Sequence, residues 1–194
     1  MNTPAHLILG AAVFSKPRQV AVTVAALCGS LAPDLSLYIM AGWSIFIADI
    51  PAETVFRQLY YSPEWQGIFA IDNSFVLWGI ALAVALWTRA TTFAVFCGAA
   101  LLHLAFDFPL HNHDARMHFW PLTDWVFISP LSYWDSRHYG GVIGPLEIML
   151  SLVACIVLWR RHYGTASRCA IAVAATAQIA PAFIWAWVFA TSNG

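Results

Sequence analysis

The sequence predicts an all-α fold, a polytopic helical membrane protein of about five spans with one further interfacial or re-entrant helix. Composition argues for it first. The chain is 60% hydrophobic and only 10% charged, with a mean hydropathy of +0.69, where a soluble domain carries about 25% charged residues. Its apolar runs are also cut to lengths that suit helices in a bilayer about 30 Å thick. Charge then orders those runs. Lys16, Arg18, Arg89, Arg160, Arg161 and Arg168 sit at one set of helix ends without a single acid, and the ten acids sit at the other with most of the histidines.

Residues 4–14 are apolar but too short to span alone. Lys16-Pro17-Arg18 makes a basic turn, and residues 19–32 run back to Pro33-Asp34. The two stretches predict a helical hairpin with His6 and Asp34 at its open end. Ala25, Ala26, Gly29 and Ser30 would let its helices pack closely. Residues 35–50 lie between Asp34 and Asp49 with no basic residue to mark a crossing, so they predict the interfacial or re-entrant helix. Residues 51–72 mix Glu53, Arg57, Tyr60, Tyr61, Glu64 and Trp65, which suits an amphipathic segment at the headgroup level.

Residues 73–88 predict a span ending at Arg89, and 91–107 return from it, closed by Pro109. Residues 108–141 form a long extracytoplasmic loop, and 142–159 and 168–190 are the last spans. Residues 1–194 thus read as one integral-membrane domain. The positive-inside rule puts the basic ends in the cytoplasm and the acid-and-His face outside, in the periplasm for a bacterial inner membrane. The segment Met1–His6 lacks the positive region of a secretory signal and is expected to stay attached.

The lipid bilayer is the expected partner. Nucleic acid is not, because the net charge is −1 and there is no basic tract. Cys28, Cys97, Cys155 and Cys169 are scattered singly, which supports neither a zinc ribbon nor a redox pair.

The chemistry gathers around His103-Leu-Ala-Phe-Asp107. An i, i+4 pair shares one helix face, and ionisable groups in an apolar helix are expensive enough to mark a functional site. Such a pair can ligate one metal, or the Asp can orient the imidazole. His6 and Asp34 reach the same face, His111, His113, Asp114 and His118 follow, and Asp72 opens the next span. Three or four of these closing around a divalent ion such as Zn²⁺ would lower the pKa of a bound water and supply a hydroxide. Glu147, about five residues inside its span, reads equally as a general acid or base or as a structural partner of His103 or Arg116. Plainer readings stand beside these. Asp34 and Asp72 suit helix N-termini, His113, Asp114 and Arg116 suit a solvated loop, and His138 and His162 need no role.

The N-terminal His, then Gly29-Ser-Leu-Ala-Pro33-Asp34, Leu102-His103-Leu-Ala-Phe-Asp107 and Phe119-Trp120-Pro121-Leu122, resemble the YdjM-like family over residues 3–122. That family comprises bacterial inner-membrane proteins labelled membrane-bound metal-dependent hydrolases. More distantly, the order His, Asp, His-xxx-Asp, His is similar to the zinc-dependent phospholipase C group. The resemblance implies His6, Asp34, His103 and Asp107 as metal ligands, with His111 or His118 as further ones and Zn²⁺ as the ion. Family members commonly carry Thr-His-Ser where this chain has Asp72-Asn73-Ser74. A cobalamin-biosynthesis (CobQ) label on some relatives has no support here, since neither a P-loop nor a Cys-His amidotransferase arrangement is present.

The leading expectation is a metallohydrolase of a phosphoester or lipid-linked substrate, with Asp72 or Glu147 handling the proton. The alternatives are a transporter or accessory subunit using the same residues as an ion or proton relay, and a scaffold whose polar groups satisfy one another.

Overall fold

The computed structural model describes the backbone of residues 1–192 and the side chains of residues 1–181. Among these residues the fold is all-α. In chain order the helices are α1 (Thr3–Phe14), α2 (Val20–Phe46), α3 (Ala52–Arg57), α4 (Pro63–Asp72), α5 (Phe75–Trp87), α6 (Thr91–Asp107), α7 (Gly140–Arg161) and α8 (Thr165–Ser192). Three stretches are long and apolar enough to cross a membrane: Val20–Phe46, Pro63–Trp87 and Gly140–Arg161. Helices α1 and α6 are apolar but shorter. α8 overlies the expected last span, 168–190, whose side chains beyond 181 lie outside the described residues.

Two boundaries differ from those expected. Pro33-Asp34 does not end a helix, since α2 runs straight through it. Pro33 has no N–H for the carbonyl of Gly29, yet the helix continues, and two neighbouring carbonyls are held by tertiary contacts. The Asn73 side-chain amide donates to the Pro33 carbonyl at 3.2 Å, and His103 Nδ1 donates to the Ser30 carbonyl at 2.7 Å. Residues 35–46 are therefore the second half of α2 rather than a separate interfacial helix, and Asp34 is a mid-helix residue rather than an N-cap. It lies roughly 21 Å along α2 at 1.5 Å per residue. Similarly, Asp72 closes α4 instead of opening a span. Ser74 caps α5, its Oγ accepting from the Leu77 N–H at 3.0 Å.

Close packing follows the small residues. A Cβ on Gly29 would stand 2.1 Å from the carbonyl oxygen of Phe96, so α2 and α6 touch backbone to backbone there. Gly10 lies against the Ser30 side chain, where a Cβ would stand 1.8 Å from Oγ, and this seats α1 on α2. Ala5, Ile8 and Leu9 of α1 pack with Ala154, Cys155 and Leu158 of α7 in one buried cluster.

Polar clamps fasten α1 to α7 at both ends. Arg161 donates to the carbonyls of Ala12 (2.7 Å) and Ser15 (3.2 Å), answering the exposed end of α1. At the opposite end Glu147 Oε1 accepts from the backbone N–H of Asn2 (3.0 Å) and from its side-chain amide (2.9 Å). This double fixing delivers His6 to the end of α6 that carries His103 and Asp107. Large apolar side chains such as Phe46, Trp87, Met149 and Ile156 remain exposed on the outside of the bundle.

Candidate metal centre

His103 is the best-defined side chain of the site. Its Nδ1 lies 2.7 Å from the Ser30 carbonyl, which can only accept, so Nδ1 carries the proton. In the neutral ring that leaves Nε2 as a bare lone pair. Nε2 is fully buried with no hydrogen-bond partner. It faces Oδ2 of Asp107 at 3.0 Å and Oδ1 of Asp34 at 3.7 Å. A lone pair turned toward two carboxylates is repulsive unless a proton or a metal ion lies between them.

The ring of His6 stacks on that of His103 with centroids 3.6 Å apart and planes 10° from parallel. His6 Nε2 lies 2.9 Å from Oδ1 of Asp107, and its Nδ1 is buried without a partner. His6, His103 and Asp107, all buried, each offer a ligand atom within 4.8 Å of the others, a spacing that could hold a metal ion. The amine of Met1 also contacts Asp107 Oδ1.

Further polar groups flank the trio. His111, one turn beyond Asp107, places Nε2 3.4 Å from Asp107 Oδ2 and Nδ1 2.8 Å from Asp114 Oδ2. Burial opposes charge on His111, but the two carboxylates outweigh it and push its pKa up to about 9. Asp114 is held below the usual carboxylate range, burial being outweighed by its bond to His111. Thr3 Oγ1 donates to Asp34 Oδ2 at 3.2 Å.

The remaining candidates stand elsewhere. His118 donates from Nδ1 to the Asn73 carbonyl at 2.9 Å and returns its own carbonyl to the Phe75 N–H at 2.8 Å, pegging the long loop to the α4–α5 joint. Burial depresses its pKa. The carbonyl of Asp72 accepts from Trp78 Nε1 at 2.7 Å. Asn73 donates to the carbonyls of Pro33 and Phe69. Glu147 Oε1 also accepts from Gln178 Nε2 at 2.9 Å, and its Oε2 is buried without a partner.

A second grouping, His113, Asp135 and His138, sits in the loop with His113 exposed. Its carboxylate is already engaged. His138 Nδ1 lies 2.9 Å from Asp135 Oδ2, and Arg137 donates to both carboxylate oxygens at 3.2 Å.

An open cleft of about 440 Å³ reaches the buried group at Asp107, its walls including Asp34, His111, Tyr38, Tyr60 and Tyr133, while His6 and His103 lie behind that wall. Arg116, for which the sequence offered a solvated loop or a pairing with Glu147, is buried and lines this cleft. Asp72, His118 and Glu147 are not among its lining residues. Fold and site together define an all-α protein with helices of membrane-spanning length and a buried His/His/Asp group able to hold a metal ion. No protein-family model matches the chain, and no curated protein or solved structure matches it.

Proposed function

We propose that the chain is a multi-pass bacterial inner-membrane hydrolase, metal-dependent and of the YdjM-like kind, acting on a phosphoester or lipid-linked substrate. Helices α2, α5, α6, α7 and α8 are its five crossings, α1 is their short partner, and the cleft opens to the periplasm. The supporting observation is His103 Nε2, buried without a hydrogen-bond partner and facing two carboxylates, with ligand atoms of His6 and Asp107 within reach of the same ion. Imidazole nitrogen and carboxylate oxygen are the donors Zn²⁺ takes.

In this reading His6, His103 and Asp107 hold the ion, with Asp34 or His111 completing the set. A bound divalent ion supplies an activated water at neutral pH. The Ser30 carbonyl keeps His103 in the ligating tautomer. Where Asp34 completes the set, His111 is left to move a proton, and it lines the cleft where substrate enters. Asp72 and Glu147, candidates from the sequence, would act from outside that lining.

The test is elemental analysis of detergent-purified protein, wild type beside His103→Ala and Asp107→Ala. About one equivalent of zinc or another transition metal, lost in both variants, is expected. Folded wild type without metal, or full occupancy in His103→Ala, overturns the reading. A reporter fused after Arg161 is expected in the cytoplasm.

A further inference from the structure

We propose that Arg116 is an oxyanion clamp, holding a phosphate group of the substrate in the cleft beside the metal centre. The proposal rests on the metal-site reading above and adds the group that recognises the substrate.

Arg116 is 7% exposed, and its Nη1 is fully buried with no hydrogen-bond partner. Its guanidinium carbon stands 3.9 Å from the centre of the Phe69 ring and 4.9 Å from that of Tyr60. Aromatic faces hold the cation in place by cation–π attraction but occupy none of its five N–H donors. A buried charge normally finds a counter-ion. Among the described residues none lies within ion-pair distance, and the near acid, Asp114, has given Oδ2 to His111 at 2.8 Å. The structure thus presents a fixed, under-used fork at the wall of the cleft that also contains Asp107 and His111.

A fork of this kind matches the oxygens of phosphate or carboxylate in bidentate fashion. A phosphoryl group has enough oxygens to meet the guanidinium and a metal ion at once. The cleft adds a condition. Asp34, Asp107 and Asp114 line it too, and the Met1 amine and the His111 imidazole stand with Arg116 against them. A divalent ion adds positive charge beside Asp107, so the metal-loaded protein should accept phosphate better than the metal-free one.

The experiment titrates inorganic phosphate into zinc-loaded wild type, Arg116→Gln and Arg116→Lys by calorimetry, with metal content and melting temperature measured on each sample. The clamp predicts that Arg116→Gln keeps its metal but loses tenfold or more in phosphate affinity, with partial recovery in Arg116→Lys. Acetate should bind more weakly than phosphate. Undiminished phosphate binding by Arg116→Gln overturns the clamp, as does a metal-loaded wild type that ignores phosphate. If Gln unfolds the protein, Arg116→Lys decides by the same readout, since wild-type affinity there removes the need for a fork. Phosphate binding that depends on Arg116 in a protein that takes up no zinc would keep the clamp and sink the metal reading. Wild type with neither metal nor phosphate overturns both. Displacement of bound phosphate by phosphatidylglycerol but not phosphatidylcholine nanodiscs identifies a lipid headgroup, and no displacement by either assigns a water-soluble phosphate, each consistent with the clamp.

Discussion

His103 and Asp107 stand one helical turn apart on α6, with Nε2 of the one 3.0 Å from Oδ2 of the other. The opposite ring nitrogen is tied to the Ser30 carbonyl on α2. One imidazole therefore spans two helices, and its Nε2 is directed by the backbone of the second. Asp34 lies further from that nitrogen, at 3.7 Å.

This difference in distance predicts a graded response to substitution. Asp107→Asn is expected to abolish metal binding, because Asp107 meets His6, His103 and His111 alike. Asp34→Asn should weaken affinity by about 10- to 100-fold, as for a group that orients a ligand rather than bonding the ion. Competition with a chromogenic chelator measures both. Equal and complete loss would put Asp34 among the ligands.

Gly29 is predicted to be intolerant of any side chain. A Cβ there would meet the Phe96 carbonyl at 2.1 Å, and a backbone atom cannot rotate away. Gly29→Ala should therefore separate α2 from α6 and destabilise the fold by about 1–3 kcal/mol, the range for overpacking. The displaced neighbour is Ser30, so metal affinity should fall with stability. Thermal melting and metal content on the same sample test the linkage. A variant that melts like wild type would show that the contact relaxes.

The parts of this site that could be read from the sequence were those carried by short spacing. His103 and Asp107 share a face by helix geometry alone, and ionisable groups inside an apolar run signal themselves. The Gly29-Ser30 pair likewise announced close packing, which the α2–α6 contact uses. Pro33 misled because its preference against helix is local. The carbonyls on its turn find partners in Asn73 and His103, 40 and 73 residues away. Arg116 was illegible for a different reason. Residues 108–141 have no periodicity, so nothing in them tells a buried guanidinium from a solvated one.

Glu147 is predicted to anchor the N-terminal segment. Its Oε1 gathers three donors, two from Asn2 and one from Gln178. Glu147→Ala leaves the buried Gln178 amide unpaired and frees the exposed Asn2, and should destabilise by about 1–3 kcal/mol. Glu147→Gln keeps an acceptor oxygen and should restore much of the loss. If Glu147 instead carried a catalytic proton, Glu147→Gln would melt like wild type yet lose turnover on any phosphoester the protein hydrolyses.

The loop should show an acid-dependent lock at Asp135. The carboxylate takes bonds from the Arg137 side chain, His138 and the Arg137 N–H, and these hold its pKa below the ordinary value of 3.8. A carboxyl group depressed in the folded state adds stability above its unfolded pKa, and that stability is lost as the pH falls toward the folded value. Asp135→Asn should therefore lower the melting temperature at pH 7, with the gap to wild type narrowing only below about pH 4. Salt should shrink the gap as well, because Arg137 is largely exposed and its attraction is screened. Melting curves of both proteins between pH 3 and pH 8, at low and high salt, make the measurement. A gap independent of pH would mean that the loop is held by the Ser132 and backbone hydrogen bonds around Asp135, with the carboxylate's charge irrelevant.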